Sequence, residues 1–137
     1  MAVFEEFWIV SWSGPTLFFY SQEKQFDPNL IGGFFSAIQM FAKKMSHESG
    51  LNSLSLGKHT FTFVNNEKFK LYFISKSTKK VKTKQILKKI EAVEKAFIDR
   101  YETELKTMEI DYSGFEEFTE EFEKIFKDYL SRLEGMW

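Results

Sequence analysis

What most constrains this chain is the order in which its hydrophobic periodicity changes. Two short strand-like runs come first, then one helix-period segment, then three more strand-like runs. Two long helix-period segments fill the C-terminal half. Each face of a sheet and each apolar stripe of a helix must be buried against another element, so this order calls for one sheet packed with helices. A chain of 137 residues buries roughly two-thirds of the surface it exposes when unfolded, enough for one core. Residues 1–137 are therefore read as a single domain. Its 17 phenylalanines supply large apolar areas, and no cysteine is present to staple them. At about 25 cal/mol per Å² buried, such side chains can offset the entropy of ordering without a cross-link. The missing cysteine fits a reducing, cytoplasmic setting.

The run Val3 to Trp12 is rich in aromatic and β-branched residues and stops at Ser13-Gly14-Pro15, a strong turn signal. Leu17 to Ser21 completes a hairpin. Phe7-Trp8-Ile9-Val10 is nearly continuous rather than alternating, as expected of a central strand covered on both faces. Asp27-Pro28 then opens a helix, with Asp as the cap and Pro at the first helical position. Leu30, Ile31, Phe34, Phe35, Ile38, Phe41, Ala42 and Met45 follow the spacing of an amphipathic face. The helix is expected to end between Ser46 and Gly50.

Asn52 to Leu56, Thr60 to Val64 and Phe69 to Ser75 read as an antiparallel meander, separated by Gly57-Lys58 and by Asn65-Asn66. Alternation at Phe61/Phe63 and at Phe69/Leu71/Phe73 assigns phenylalanine to one face and threonine, lysine or tyrosine to the other. Lys76 to Lys82 reads as a polar connection, with Thr83 capping a long helix. Ile86, Ile90, Val93, Phe97, Tyr101 and Leu105 form its buried stripe. A break at Asp111 to Gly114 precedes a last helix from about Phe115 to Leu133, which is expected to bury Phe118, Phe122, Ile125, Phe126, Tyr129 and Leu133. The fold class expected is α+β: a five-stranded antiparallel sheet in an α/β/α sandwich, in the order ββαβββαα.

No catalytic equipment accompanies these elements. Neither the G-x-x-x-x-G-K-[ST] phosphate loop nor the G-x-G-x-x-G fingerprint occurs, and His47 and His59 are the only histidines. No cofactor or metal is called for, and the chain is read as a non-enzyme. The glutamates Glu116, Glu117, Glu120, Glu121 and Glu123 fall opposite Phe118 and Phe122, which makes them a solvated helix face. Two glutamates interrupt the N-terminal apolar residues, so no signal peptide is expected there.

Charge is segregated despite a net value of −1. Lys76, Lys79, Lys80, Lys82, Lys84, Lys88 and Lys89 fall within 14 acid-free residues. The cluster, with Lys79, Lys80, Lys82 and Lys84 at its centre, is either a solvated loop and helix start or a contact for anionic lipid at about 1 kcal/mol per nearby lysine. Nucleic acid fits it less well. Only Arg100 and Arg132 are present, both outside the cluster, and no aromatics interleave it for base stacking.

Gly32-Gly33 poses a sharper question, because helical glycine costs about 1 kcal/mol relative to alanine. A close approach is implied, either by the chain's own sheet or by a partner backbone. Phe34 and Phe35 point about 100° apart on a helix. Whichever of them is left outside the sheet becomes a candidate anchor for a partner.

The strand Phe7-Trp8-Ile9-Val10, the Gly14-Pro15 turn before Leu17-Phe18-Phe19, the helix Leu30-Ile31-Gly32-Gly33-Phe34-Phe35-Ser36-Ala37-Ile38 and the strand Leu71-Tyr72-Phe73 together resemble a longin domain. The neighbouring roadblock family typically begins and ends with a helix, whereas this chain begins with a strand and ends with two helices. The resemblance implies a non-enzymatic role in vesicle trafficking or small-GTPase control, exercised through homo- or heterodimers built on the first helix and the adjacent edge strand. Here those elements supply Gly32, Gly33, Phe34, Phe35 and Ile38, with Asn52, Leu54 and Leu56. The implied partners are a small Ras-like GTPase, another longin or roadblock domain, or a second copy. The alternatives are a peripheral membrane adaptor that docks on anionic lipid through the lysine cluster, or a roadblock-type GTPase regulator. Longin-bearing fusion proteins continue into a coiled coil and an anchor, so the stop at Trp137 is more similar to the stand-alone longin subunits of adaptor or tethering complexes.

Overall fold

In a computed structural model, residues 6–21, 28–46, 52–107 and 117–125 are described. Strands β1 (Glu6–Ser11) and β2 (Thr16–Ser21) form the hairpin, and α1 (Pro28–Ser46) leads to β3 (Ser53–Leu56), β4 (His59–Asn66) and β5 (Leu71–Thr78). Helix α2 (Thr83–Thr107) follows, and a further helical segment, α3, covers 118–125. The strands make one antiparallel sheet in the order β2-β1-β5-β4-β3. β1 and β5 lie at its centre, paired from Glu6↔Lys76 to Ser11↔Leu71. The continuous apolar run of β1 has the consequence expected of it: Phe7 and Ile9 enter the core on one face, Trp8 and Val10 that on the other.

The larger core lies between the sheet and the C-terminal helices. Every member of the α2 stripe, from Ile86 through Phe97 to Leu105, is buried there. The Phe97 ring meets Tyr101 at 4.9 Å, Phe118 at 5.2 Å and Phe73 at 6.1 Å between centroids. Phe122 closes α3 over the hairpin, at 4.7 Å from Tyr20, 5.2 Å from Phe7 and 5.5 Å from Phe18. Arg100 of α2 reaches Glu117 and Glu121, both at 3.5 Å, so two of the glutamates read as a solvated face join the helices. Lys89, counted in the lysine cluster, is buried instead and its Nζ donates to the Ile125 carbonyl. Glu94 is half-buried and accepts a hydrogen bond from Asn66 Nδ2 at 3.2 Å. Burial pushes its carboxyl above the usual range, with the charge of Glu91 adding to the effect, while the Asn66 bond opposes both.

Trp8, Val10, Phe35, Phe63, Tyr72 and Ile74 form the smaller core, beneath α1. The layers are thus helix, sheet and helix pair. Strand limits differ from the sequence reading in two places. Asn65-Asn66 is not a turn but the end of β4, paired with Tyr72 and Leu71, and Lys76-Ser77-Thr78 is not a linker but the end of β5, paired with Phe61, Thr60 and His59. In both cases the ladder supplies backbone partners, and these override local turn preference and charge. The turn itself is Glu67 to Lys70, with Lys70 at φ 55° and Asn66 Oδ1 accepting from the Phe69 amide at 2.9 Å. His59 accordingly opens a strand rather than sitting in a loop. The alternation does not gather the phenylalanines on one face: Phe61 and Phe63 pack with Tyr72 beneath α1, whereas Phe69, Leu71 and Phe73 face the helix pair, and Thr62 and Tyr72 are both buried because helices cover the sheet on both sides.

Candidate interaction surface

Four contacts set how α1 lies on the sheet. Gly32 is buried, and a Cβ there would stand 2.2 Å from Thr16 Oγ1, 3.2 Å from the Gly14 carbonyl and 3.4 Å from Val10 Cγ1. The close approach inferred from Gly32-Gly33 is therefore made by the protein's own hairpin, and only at the first glycine; Gly33 has nothing within 4 Å of its Cβ position. One turn on, Ser36 Oγ donates to the Trp12 carbonyl at 2.6 Å. The Phe35 ring sits among Phe61, Trp8 and Phe63 at 5.2, 5.5 and 5.5 Å. Near the C-terminal end, Lys43 Nζ lies 4.0 Å over the Trp12 ring. Trp12 in turn stacks on Tyr72 at 5.9 Å and donates from Nε1 to Asn65 Oδ1 at 2.9 Å.

These contacts leave the other side of α1 facing out, and that side is apolar. Phe34, Met40, Phe41 and Met45 are 53%, 55%, 66% and 69% exposed, with Gly33, Ala37 and Lys44 exposed between them. The single buried stripe read from the spacing is corrected here: Phe34, Phe41 and Met45 point away from the core, and the buried positions are Gly32, Phe35, Ser36 and Gln39. The side chains of Leu30 and Ile31 lie outside the described set. Helix α1 is apolar around most of its circumference, and three of its four interior polar or charged residues, Ser36, Gln39 and Lys43, are the ones turned inward. That count over a helical wheel was the available signal for Met40, Phe41 and Met45 as surface anchors.

On the same side of the sheet, α1 packs over β1 and β2, which leaves Leu54 and Phe61 of the outer strands half-buried. Phe35 turns toward Phe61, and Ile38 and Phe34 come next around the helix in that direction. The apolar surface therefore runs from Phe41 and Phe34 past half-buried Ile38 to Phe61 and Leu54. Among the described residues β3 is an edge strand of the sheet, with no strand paired to its outer side. Asn52 is exposed beside it; the Leu56 backbone pairs with His59 while its side chain lies outside the described set. Of the sequence candidates, Phe34, Ile38, Leu54 and Asn52 thus share one surface, and Gly33 is exposed on it. Gly32 and Phe35 lie inside and hold the helix in place. Neither α1 nor β3 contains an acidic residue.

Lys79, Lys80, Lys82 and Lys84 are all exposed, at the turn after β5 and the start of α2. They lie at the opposite end of β5 from Tyr72 and Lys43, so they form a second surface. His47 lies outside the described residues, and among the described residues no three His, Cys, Asp or Glu side chains gather as metal ligands. Among them, too, no helix is long and apolar enough to cross a membrane.

Known structures share this arrangement of elements. MglB of Myxococcus xanthus superposes with a TM-score of 0.61 at 8% identity, over 73% of this chain and 85% of that one. A structure of the mammalian SRP receptor superposes with a TM-score of 0.64 at 15% identity, over 96% of this chain and 98% of that one. The fold is longin-like. No family model and no curated protein sequence matches the chain, so the likeness resides in the backbone path more than in residue identities. Within the longin-like frame, α1 and β3 are the helix and edge strand to which the sequence resemblance assigns partner contacts.

Proposed function

We propose that this protein is a non-enzymatic longin-like adaptor. It docks through the outer face of α1 and the β3 edge onto another longin or roadblock domain, and the pair presents a surface to a small Ras-like GTPase. One observation carries the reading: Phe34, Met40, Phe41 and Met45 are exposed on the outer face of α1, and half-buried Phe61 and Leu54 extend the apolar surface toward the edge strand β3. Aromatic residues and methionine are enriched in protein interfaces, and apolar patches of this kind mark docking sites. The free edge adds backbone donors and acceptors for strand addition. Because these anchors do not support the core, they can be changed without unfolding the protein. The test is capture of purified longin and roadblock domains and of GTPases loaded with GDP or a GTP analogue, with light scattering on each mixture. Phe34→Asp/Phe41→Asp should abolish capture while leaving the circular dichroism unchanged; a wild-type chain that captures none of these proteins overturns the proposal.

A further inference from the structure

We propose that the end of the sheet where β5 passes into α2 is a docking face for a membrane surface rich in anionic lipid. The inference concerns a different surface from the docking reading above and does not depend on it. Its first ground is that the fold adds a distant lysine to the cluster visible in the sequence. The Lys79 amide donates to the Lys58 carbonyl at 3.3 Å, and His59 pairs with Thr78, so the β3–β4 turn lies against the turn that follows β5. Lys58 therefore joins Lys79, Lys80, Lys82 and Lys84, and all of them are exposed. Among the described residues, none of their ammonium groups has an ion-pair or hydrogen-bond partner. Lys76 is half-buried and Lys89 buried, so neither belongs to this face.

Its second ground is where the acids stand. Between Asn52 and Ile90 the only acidic residue is Glu67, and it lies in the turn at the far end of β4 and β5. β1 brings Glu6 beside Lys76, but Glu6 is buried and accepts from Ser21 Oγ at 3.2 Å. Glu91 comes farther along α2, past Lys88. The first turn of α2 holds no acid, so the positive end of its dipole adds to the same face. Like charges gathered without counter-charges repel, and a surface of opposite sign relieves that repulsion. Side-chain chemistry then selects lipid among polyanions. The cluster contains no arginine, and lysine is a flexible point charge without the fork that fixes a single phosphate or carboxylate. No exposed aromatic interleaves the lysines for base stacking; Val81, the apolar residue among them, packs into the core. Two turn tips and a helix start hold the ammonium groups outward, which suits a plane of diffuse anionic charge.

The experiment is co-sedimentation of the full chain with vesicles of phosphatidylcholine, alone or mixed with phosphatidylserine. At about 0.1 M salt the chain should bind the mixed vesicles and not the neutral ones, and added salt should release it. Lys58→Ala and Lys80→Ala should each weaken binding about fivefold, the loss expected for one lysine near an anionic surface. Lys68→Ala removes the same charge from the other end of the eight-residue strand β4. That end is about 26 Å away against a screening length of about 10 Å, so binding should stay within about twofold of wild type. Phe34→Asp/Phe41→Asp should leave it unchanged too, because the α1 strip is a separate surface. A chain that ignores the mixed vesicles overturns the proposal. So does an equal loss from Lys58→Ala and Lys68→Ala, which would reduce the effect to net charge. Loss of binding in Phe34→Asp/Phe41→Asp overturns it by assigning the vesicles to α1. Displacement by soluble glycerophosphoserine overturns it in favour of a pocket for one headgroup, and tighter binding of a single-stranded oligonucleotide in favour of nucleic acid.

Discussion

Adjacent glycines in one helix should respond to alanine with opposite signs. In a helix interior, Gly→Ala gains about 1 kcal/mol from propensity. At Gly33 nothing lies within 4 Å of the new methyl, so the whole gain should appear as stabilisation. At Gly32 the same gain meets the hairpin, since the methyl would stand 2.2 Å from Thr16 Oγ1 and 3.2 Å from the Gly14 carbonyl. Thr16 is β-branched and stiff about χ1. The Gly14 carbonyl belongs to a tight turn with Gly14 at φ 117° and its amide bonded to the Ser11 carbonyl at 2.9 Å. Neither yields easily, and overpacking of this kind costs about 1–3 kcal/mol. Setting about 2 against the propensity gain leaves Gly32→Ala destabilised by about 1 kcal/mol, and the two variants differ by about 2.

Urea unfolding followed by tryptophan fluorescence measures the contrast. With a slope near 2 kcal/mol per M, the two midpoints should lie about 1 M apart on either side of wild type. A Thr16→Ala background supplies the control, because it removes the atom in closest conflict. There Gly32→Ala should recover about 1–2 kcal/mol relative to its effect in wild type, a coupling typical of residues in contact. The reasoning is refuted if Gly32→Ala proves as stable as Gly33→Ala and Thr16→Ala leaves the difference unchanged.

Phe97→Ala and Phe122→Ala each empty a fully buried ring site in the larger core and should cost about 3–5 kcal/mol by chemical denaturation; a loss below about 1 kcal/mol would mean that these faces are not core. Burial raises the Glu94 carboxyl above its unfolded value, so its protonated form favours the folded state. Wild type should lose stability relative to Glu94→Gln as pH rises from about 4 through the raised folded value and level off above it, and unfolding curves from pH 3 to about 8 that slope the other way contradict this. If the exposed lysines after β5 meet lipid, Lys79→Glu/Lys80→Glu/Lys82→Glu should weaken co-sedimentation with anionic vesicles by at least about 100-fold at low salt. Binding that ignores anionic content or survives the triple change removes that membrane reading.

Legibility in the sequence followed how far each element's environment is set locally. The α2 stripe was readable because one apolar stripe faces one core, and all six positions from Ile86 to Leu105 are buried. The β1 run was readable because only a central strand is apolar on both sides. The ends of β4 and β5 were not, since Asn65, Asn66 and Lys76 carry turn or solvent preferences that only a neighbouring ladder overrides. Their amides also find uses with no local trace: Asn65 holds Trp12, 53 positions away, and Asn66 meets Glu94. The candidate surface was partly legible. The angular separation of Phe34 and Phe35 raised the question whether both fit under the sheet, but it did not say which would lie outside, because α1 offers two stripes with acceptable spacing.

What decides between those stripes is the gap at Gly32. To seat Phe34 among Trp8, Phe61 and Phe63, α1 would have to turn by one residue, about 100°, and Ile31 would then enter the gap in which even a methyl stands 2.2 Å from Thr16 Oγ1. Turning the other way admits Gly33 but puts Ser36 in the phenylalanine socket and gives up the bond from Ser36 to the Trp12 carbonyl. Lys43 would also leave the Trp12 ring. Exchange of one phenylalanine for another is nearly neutral in buried area, so the steric gap, the hydrogen bond at about 1 kcal/mol and the cation over the ring at about 0.5–1 kcal/mol carry the choice. The outward strip is therefore not a residue of poor packing. Gly32 forces it: the close approach on the inner side and the exposed Phe34 on the outer side are two consequences of one helix position.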